Sequence, residues 1–127
     1  MYHALVAFQH ERTPAYKEAL LFAKWVNLTL RPMLKGRADL VDQINRAASS
    51  ILLNIAEGAG RWGKLDKKRF YGFAKGSAGE CSAILDLIET AEIASEPVEN
   101  LAFERLRLDS ICAQLVKLCH GVDRRGE

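Results

Sequence analysis

Apolar residues recur along this chain at spacings of three and four, the pattern of helices that bury one face. Four such segments stand out. In the first, Tyr16, Ala19, Leu20, Ala23, Val26 and Leu30 form one stripe. Thr13 offers an N-cap, Pro14 suits the first helical position, and Pro32 helps end the segment. The second runs from about Asp39, a candidate N-cap, to Glu57. Its face is Leu40, Val41, Ile44, Ala48, Ile51, Leu52 and Ile55, and Gly58 is its expected C-terminal stop. The third starts near Asp66 and reaches about Ser95 through Phe70, Phe73, Ala74, Ser77, Cys81, Ile84, Leu85, Ile88 and Ala91. The fourth follows Pro97 and carries Leu101, Leu108, Ile111, Cys112, Leu115, Leu118, Cys119 and Val122. Repeats near seven residues, as at Leu108, Leu115 and Val122, favour helix axes crossing at about 20°. No segment alternates at period two for long enough to predict a strand; the Ala4 to Phe8 run is open between a strand, a helical turn and an arm. The prediction is an all-α, antiparallel up-down four-helix bundle over residues 13–122. An N-terminal extension (residues 1–12) precedes it and a frayed tail (residues 123–127) follows it.

The second helix has another stripe beside its apolar one: Gln43, Ala47, Ser50, Asn54 and Glu57. Polar groups next to a core need partners, and Ser77 on the third helix is the expected one for Asn54 and Glu57. The third helix carries Gly72, Gly76 and Gly79 on one face. Each costs about 1 kcal/mol relative to alanine inside a helix, so something must offset the loss. One expectation is close approach of the Ala47, Ser50 and Asn54 stripe. The other is a subunit interface or a backbone surface open to a ligand.

Charge is distributed unevenly. Between Ala59 and Lys75, the cations Arg61, Lys64, Lys67, Lys68, Arg69 and Lys75 face Asp66 alone. From Gly76 to Glu104 there is no lysine or arginine, and Glu80, Asp86, Glu89, Glu92, Glu96, Glu99 and Glu104 follow one another. The third helix is thus basic at its start and acidic at its end, the reverse of what the helix dipole prefers. Cations at a helix N-terminus beside a Gly-rich loop suit phosphate, and Trp62 and Tyr71 lie among them for stacking on bases.

The 127 residues are those of one domain. With 49% hydrophobic and 27% charged residues the composition is that of an ordinary soluble protein, so a core needs no disulfide or metal staple. No apolar run reaches the roughly 18 residues of a membrane span, and the N-terminus lacks the basic n-region of a signal peptide. A cytoplasmic location is expected. Cys81, Cys112 and Cys119 have no metal-ligand spacing and read as small buried hydrophobes. No nucleophile, P-loop or zinc-protease motif is present. Glu57 and Glu80 are the one candidate carboxylate pair, better assigned to structural contacts with Arg46, Arg61 or helix ends. The expectation is no enzyme activity, no metal, no cofactor and no small-molecule substrate.

The segment Gln43 to Arg61, with Gly76, Ser77 and Glu80 after it, resembles a known family: the four-helix-bundle proteins encoded in intervening sequences of bacterial 23S ribosomal RNA genes. The accessory variability determinant of diversity-generating retroelements is among its relatives. The residues that carry the resemblance are Gln43, Arg46, Ala47, Ser50, Ile51, Asn54, Ile55, Ala56, Glu57, Gly58, Gly60 and Arg61, then Gly76, Ser77 and Glu80. The resemblance implies ring-shaped homo-oligomers, pentamers being the expected form, with RNA or a ribonucleoprotein as partner. In such a ring, copies of Arg61, Trp62, Lys64, Lys67, Lys68 and Arg69 gather on one rim, so that a chain of formal net charge +2 presents a strong local field. The alternatives are a protein-interaction adaptor and a purely structural oligomer.

Overall fold

The computed structural model describes residues 9–125; the Ala4 to Phe8 run and most of the expected extension lie outside them. Among the described residues every regular element is helical. A short 3-10 turn, Gln9–Arg12, leads into α1 (Pro14–Trp25). The chain then continues through a π turn at Val26–Leu30 and a 3-10 turn at Arg31–Met33. α2 is Ala38–Gly60, α3 is Lys64–Thr90 and α4 is Leu101–Arg125. The widened π turn precedes Pro32, which has no N–H to offer the carbonyl four residues back. Thr13 takes the N-cap position of α1, but its side chain does not cap the helix.

α2 packs on α3, α3 on α4, and α1 lies against both α2 and α4. Side chains tie the neighbours together. Ser50 Oγ and Ser77 Oγ, 2.7 Å apart, link α2 to α3. Lys68 on α3 donates to Asp123 on α4 at 3.0 Å, and Arg105 on α4 reaches Asp86 and Glu89 on α3 at 2.7 and 3.0 Å. Glu18 on α1 accepts from Ser110 and Gln114 on α4, both at 2.6 Å. The core between them is Phe22, Val26, Leu30, Leu40, Ile44, Ile51, Ile55, Ala74, Ala78, Cys81, Leu85, Ile88, Leu108, Ile111 and Leu115.

Five boundaries and faces differ from those the sequence predicts. α2 does not stop at Gly58 but runs to Gly60, and Asp39 lies in its first turn, its carboxylate taken by the Arg37 guanidinium at 3.0 and 3.1 Å. α1 buries Phe22 and Trp25 and leaves Leu20 half exposed. Leu20, Leu21 and Phe22 are consecutive, so periodicity alone does not fix which one faces in. Trp25 is decided by its indole N–H, which donates to the Glu99 carbonyl at 3.0 Å. α4 continues past Val122 to Arg125, and its Asp123 carries the ion pair to Lys68, so no frayed tail begins at residue 123.

The fifth difference is the end of α3, at Thr90 rather than Ser95. The Ile93 N–H returns to the Ile88 carbonyl at 3.0 Å and the Glu92 N–H to the Glu89 carbonyl at 3.3 Å. This is a Schellman cap, whose left-handed position is normally glycine. Here it is Glu92, at φ 52°. That conformation costs an ordinary L-residue about 1–2 kcal/mol. The absence of a glycine hid the helix end from the sequence.

Candidate nucleic-acid interface and the motif face

The turn between α2 and α3 builds the basic end of the molecule. The last carbonyls of α2 have no helical N–H four residues on, and Lys67 supplies a donor: its ammonium donates to the Ala59 carbonyl at 3.0 Å and the Gly58 carbonyl at 3.4 Å, the latter also accepting from the Arg61 N–H at 3.2 Å. The basic run lies at the N-terminus of α3 but equally at the C-terminus of α2, where cations are favoured. Part of the charge pattern that opposes one dipole therefore serves another. Lys68 is held by Asp123, Arg61 by Glu57 at 2.9 Å, and Arg69 by Asp66 at 3.6 Å. Lys64 is exposed and makes no ion pair among the described residues.

Trp62 is 95% exposed and Leu65 84%, so the turn ends in an uncovered apolar tip beside Arg61 and Lys64. Tyr71, expected to stack on bases, is instead a core residue. Its ring lies against α2 at Gly58. A Cβ on Gly58 would sit 2.7 and 2.8 Å from two Tyr71 ring carbons and 3.2 Å from the Lys67 carbonyl oxygen. Gly58 is thus a close-approach position rather than a helix stop.

Sequence reasoning placed Phe70 and Phe73 in the core, but both serve the basic surface. The Arg61 guanidinium lies 4.7 Å from the Phe70 ring centre. Arg69 lies 5.1 Å from Phe70 and 5.9 Å from Phe73. Phe73 is 51% exposed. Arginines stacked on rings keep their charge outward while the rings cover apolar surface. The signal in the sequence was the interleaving of cations and aromatics from Arg61 to Phe73.

Ala47, Ile51, Ile55 and Gly58 of the motif are buried, whereas its polar residues form a partly exposed face. Ser50 bonds Ser77, and the Asn54 amide donates to the Ser50 carbonyl and hydroxyl at 2.8 and 2.9 Å. Asn54 therefore supports Ser50 and does not cross to Ser77, while Glu57 binds Arg61. Gln43, Arg46, Gly76 and Glu80 are exposed. A Cβ at Gly72, Gly76 or Gly79 would meet nothing within 4 Å, so the expected close approach of α2 to the glycine row is absent. The row lies off the buried side of α3, which carries Tyr71, Ala74, Ala78 and Cys81; the α3 side chains that meet α2 include Tyr71 at Gly58 and Ser77 at Ser50.

The sequence also did not show a polar cluster between α1 and α4. Glu104, 5% exposed, accepts from Arg107 at 3.0 Å, and Arg107 reaches Glu18 at 3.6 Å. Among the described residues no side-chain nitrogen or oxygen is buried without a partner, and no group of three or more His, Cys, Asp or Glu residues is gathered as metal ligands would be. No helix among them is long and apolar enough to cross a membrane. Burial, with a smaller push from Glu80, raises the Cys81 thiol to about 12, far from a thiolate at neutral pH. Cys112 and Cys119 are only partly buried, and burial is also the main cause that raises their thiols.

A family model described as 23S rRNA-intervening sequence protein matches residues 11–116. No curated protein matches the chain.

Proposed function

The chain belongs to the 23S rRNA-intervening sequence protein family, and on that premise we propose that it is a non-catalytic, self-assembling scaffold of the cytoplasm that binds RNA through its basic end. The four helices form an antiparallel up-down bundle, supported by cross-links whose residue numbers fall on one helix as they rise on its neighbour: Lys68 to Asp123 but Asp86 to Arg105. Copies associate side by side through the motif face into a ring, for which a pentamer is the expected size. The glycine row supports this. Gly72, Gly76 and Gly79 weaken α3, and among the described residues none packs within 4 Å of where their Cβ atoms would be. Contact by a second subunit would, and half-exposed Phe73 stands beside them.

The observation that carries the RNA reading is the tip: Trp62 uncovered, between two cations, on a turn bracketed by Gly60 and Gly63. A tryptophan left in water is a stacking platform for an unpaired base, and Arg61, Lys64 and Arg69 flank it for phosphates. Fluorescence anisotropy with a labelled single-stranded RNA tests this. Binding should fall steeply with salt, each phosphate contact contributing a slope of about −0.7 in log K against log salt. Trp62→Ala with Lys64→Glu should abolish binding and leave the melting temperature unchanged. These two side chains are free of the contacts that hold Lys67 and Lys68 to the fold. Wild type that does not bind at low salt, or binding indifferent to the double substitution, favours the adaptor reading, in which the same end takes an acidic protein.

A further inference from the structure

The opposite end of α3 carries a cavity of about 1180 Å³ between the helix terminus, the loop over residues 91–100 and the start of α4. Its floor is apolar, with Ile88, Val98 and Leu101, and exposed Phe103 and the carboxylates Glu89, Glu92 and Glu96 line its rim. Such a volume exceeds the usual small-molecule pocket of about 300–1000 Å³ and suits a protruding polypeptide. Arg105 neutralises Glu89. Glu92 and Glu96 are exposed and make no ion pair among the described residues. They stand at the negative end of the α3 dipole, where carboxylates are disfavoured. Glu92 moreover holds a left-handed backbone that glycine would take without strain. A carboxylate is kept at this rim against both local preferences.

We propose that this cavity receives the Trp62–Leu65 tip of a second copy of the chain, so that copies stack head to tail. The two surfaces are complementary feature by feature. Trp62 and Leu65 supply the apolar tip for the apolar floor, and Arg61 and Lys64 meet Glu92 and Glu96. The two surfaces lie at opposite ends of a 27-residue helix, roughly 40 Å apart, so the contact cannot form within one chain. Stacking sets the N-terminus of one α3 against the C-terminus of the next, aligning their dipoles and neutralising at both ends the charge each dipole disfavours. The contact is heterologous and open-ended. It is independent of the RNA reading, although a tip seated in a neighbour is closed to RNA. In a ring, several such contacts act together, and each needs only modest affinity.

Sedimentation velocity of the full chain over a concentration series, without RNA and at low salt, tests the stack. Wild type should grow in mass with concentration beyond its side-by-side oligomer, and high salt should reverse that growth. Glu92→Lys with Glu96→Lys, and separately Trp62→Asp, should each weaken the growth on the order of tenfold or more. A mixture of the two variants should regain one contact, through the intact cavity of one and the intact tip of the other, and stop there. Glu92→Gly should also weaken stacking while its melting temperature holds or rises, which separates loss of the contact from loss of the fold. The cavity variants leave the RNA tip untouched and free it from any neighbour, so they should bind labelled RNA at least as tightly as wild type does, and failure of one reading is distinguishable from failure of the other. Wild type whose mass is constant with concentration at low salt, or cavity variants that stack like wild type, overturn the proposal.

Discussion

Gly58 and Gly76 are both helical glycines of the family motif, and their environments oppose each other. A methyl group on Gly58 enters the ring of buried Tyr71, whereas one on Gly76 enters open space. Alanine gains about 1 kcal/mol of helix propensity at either site. At Gly58 overpacking of about 1–3 kcal/mol opposes that gain, and the Lys67 carbonyl cannot swing aside as a flexible side-chain end can. Thermal melts of the chain at a concentration where it is dissociated should therefore show Gly58→Ala below wild type and Gly76→Ala a few degrees above it. A Gly58→Ala variant as stable as wild type would mean that Tyr71 relaxes freely and that the close approach is not a constraint.

Between elements, the contact of α1 with α4 depends on a charged cluster in which Glu18, Glu104, Arg107, Ser110 and Gln114 satisfy one another. Arg107 is the only cation in it, and its side chain is 14% exposed. Removing one partner of a buried pair leaves an uncompensated charge and typically costs about 3–5 kcal/mol, whereas replacing the pair by apolar groups is often neutral. Urea unfolding should place Arg107→Met about 3 kcal/mol below wild type, and Arg107→Met with Glu104→Leu should recover most of the loss. Simple additivity of the two losses would show that Glu104 is satisfied from elsewhere. Periodicity read Leu108, Ile111 and Leu115 correctly as core. It did not register Glu104, because a carboxylate at an inward position has no apolar signal and its partners come from a helix distant in sequence.

For the whole molecule the question is what covers Leu53, Phe73 and Phe103, all more than half exposed in the single chain. Leu53 and Phe103 lie off the bundle seams, whereas Trp25, also a large apolar residue, is buried at 6%. Under the ring proposal the glycine row contacts a neighbouring subunit. The Cβ of Gly76→Leu then enters space open to 4 Å among the described residues, and the side chain fills the space a neighbour needs. Light scattering coupled to size exclusion should show its mass fall towards the monomer, while the dissociated chain melts no lower than wild type. A mass unchanged by Gly76→Leu would place the subunit contact elsewhere.

The sequence by itself determined four helices, most of their core positions, the all-helical class and the family, because each depends on spacing within one segment or on a local motif. The start of α1 and the apolar inward positions of α2 and α4 are set this way. Tertiary structure alone decided what each polar or glycine position is for. Lys67 is a cation at the start of one helix until the end of α2 is brought beside it. Gly58 looks like a helix stop until Tyr71 arrives from the next helix, and the glycine row looks like a packing seam until Tyr71, Ala74 and Ala78 take that side of α3. These roles depend on which side chain another helix delivers within about 3–4 Å, and no periodicity within a segment encodes that distance.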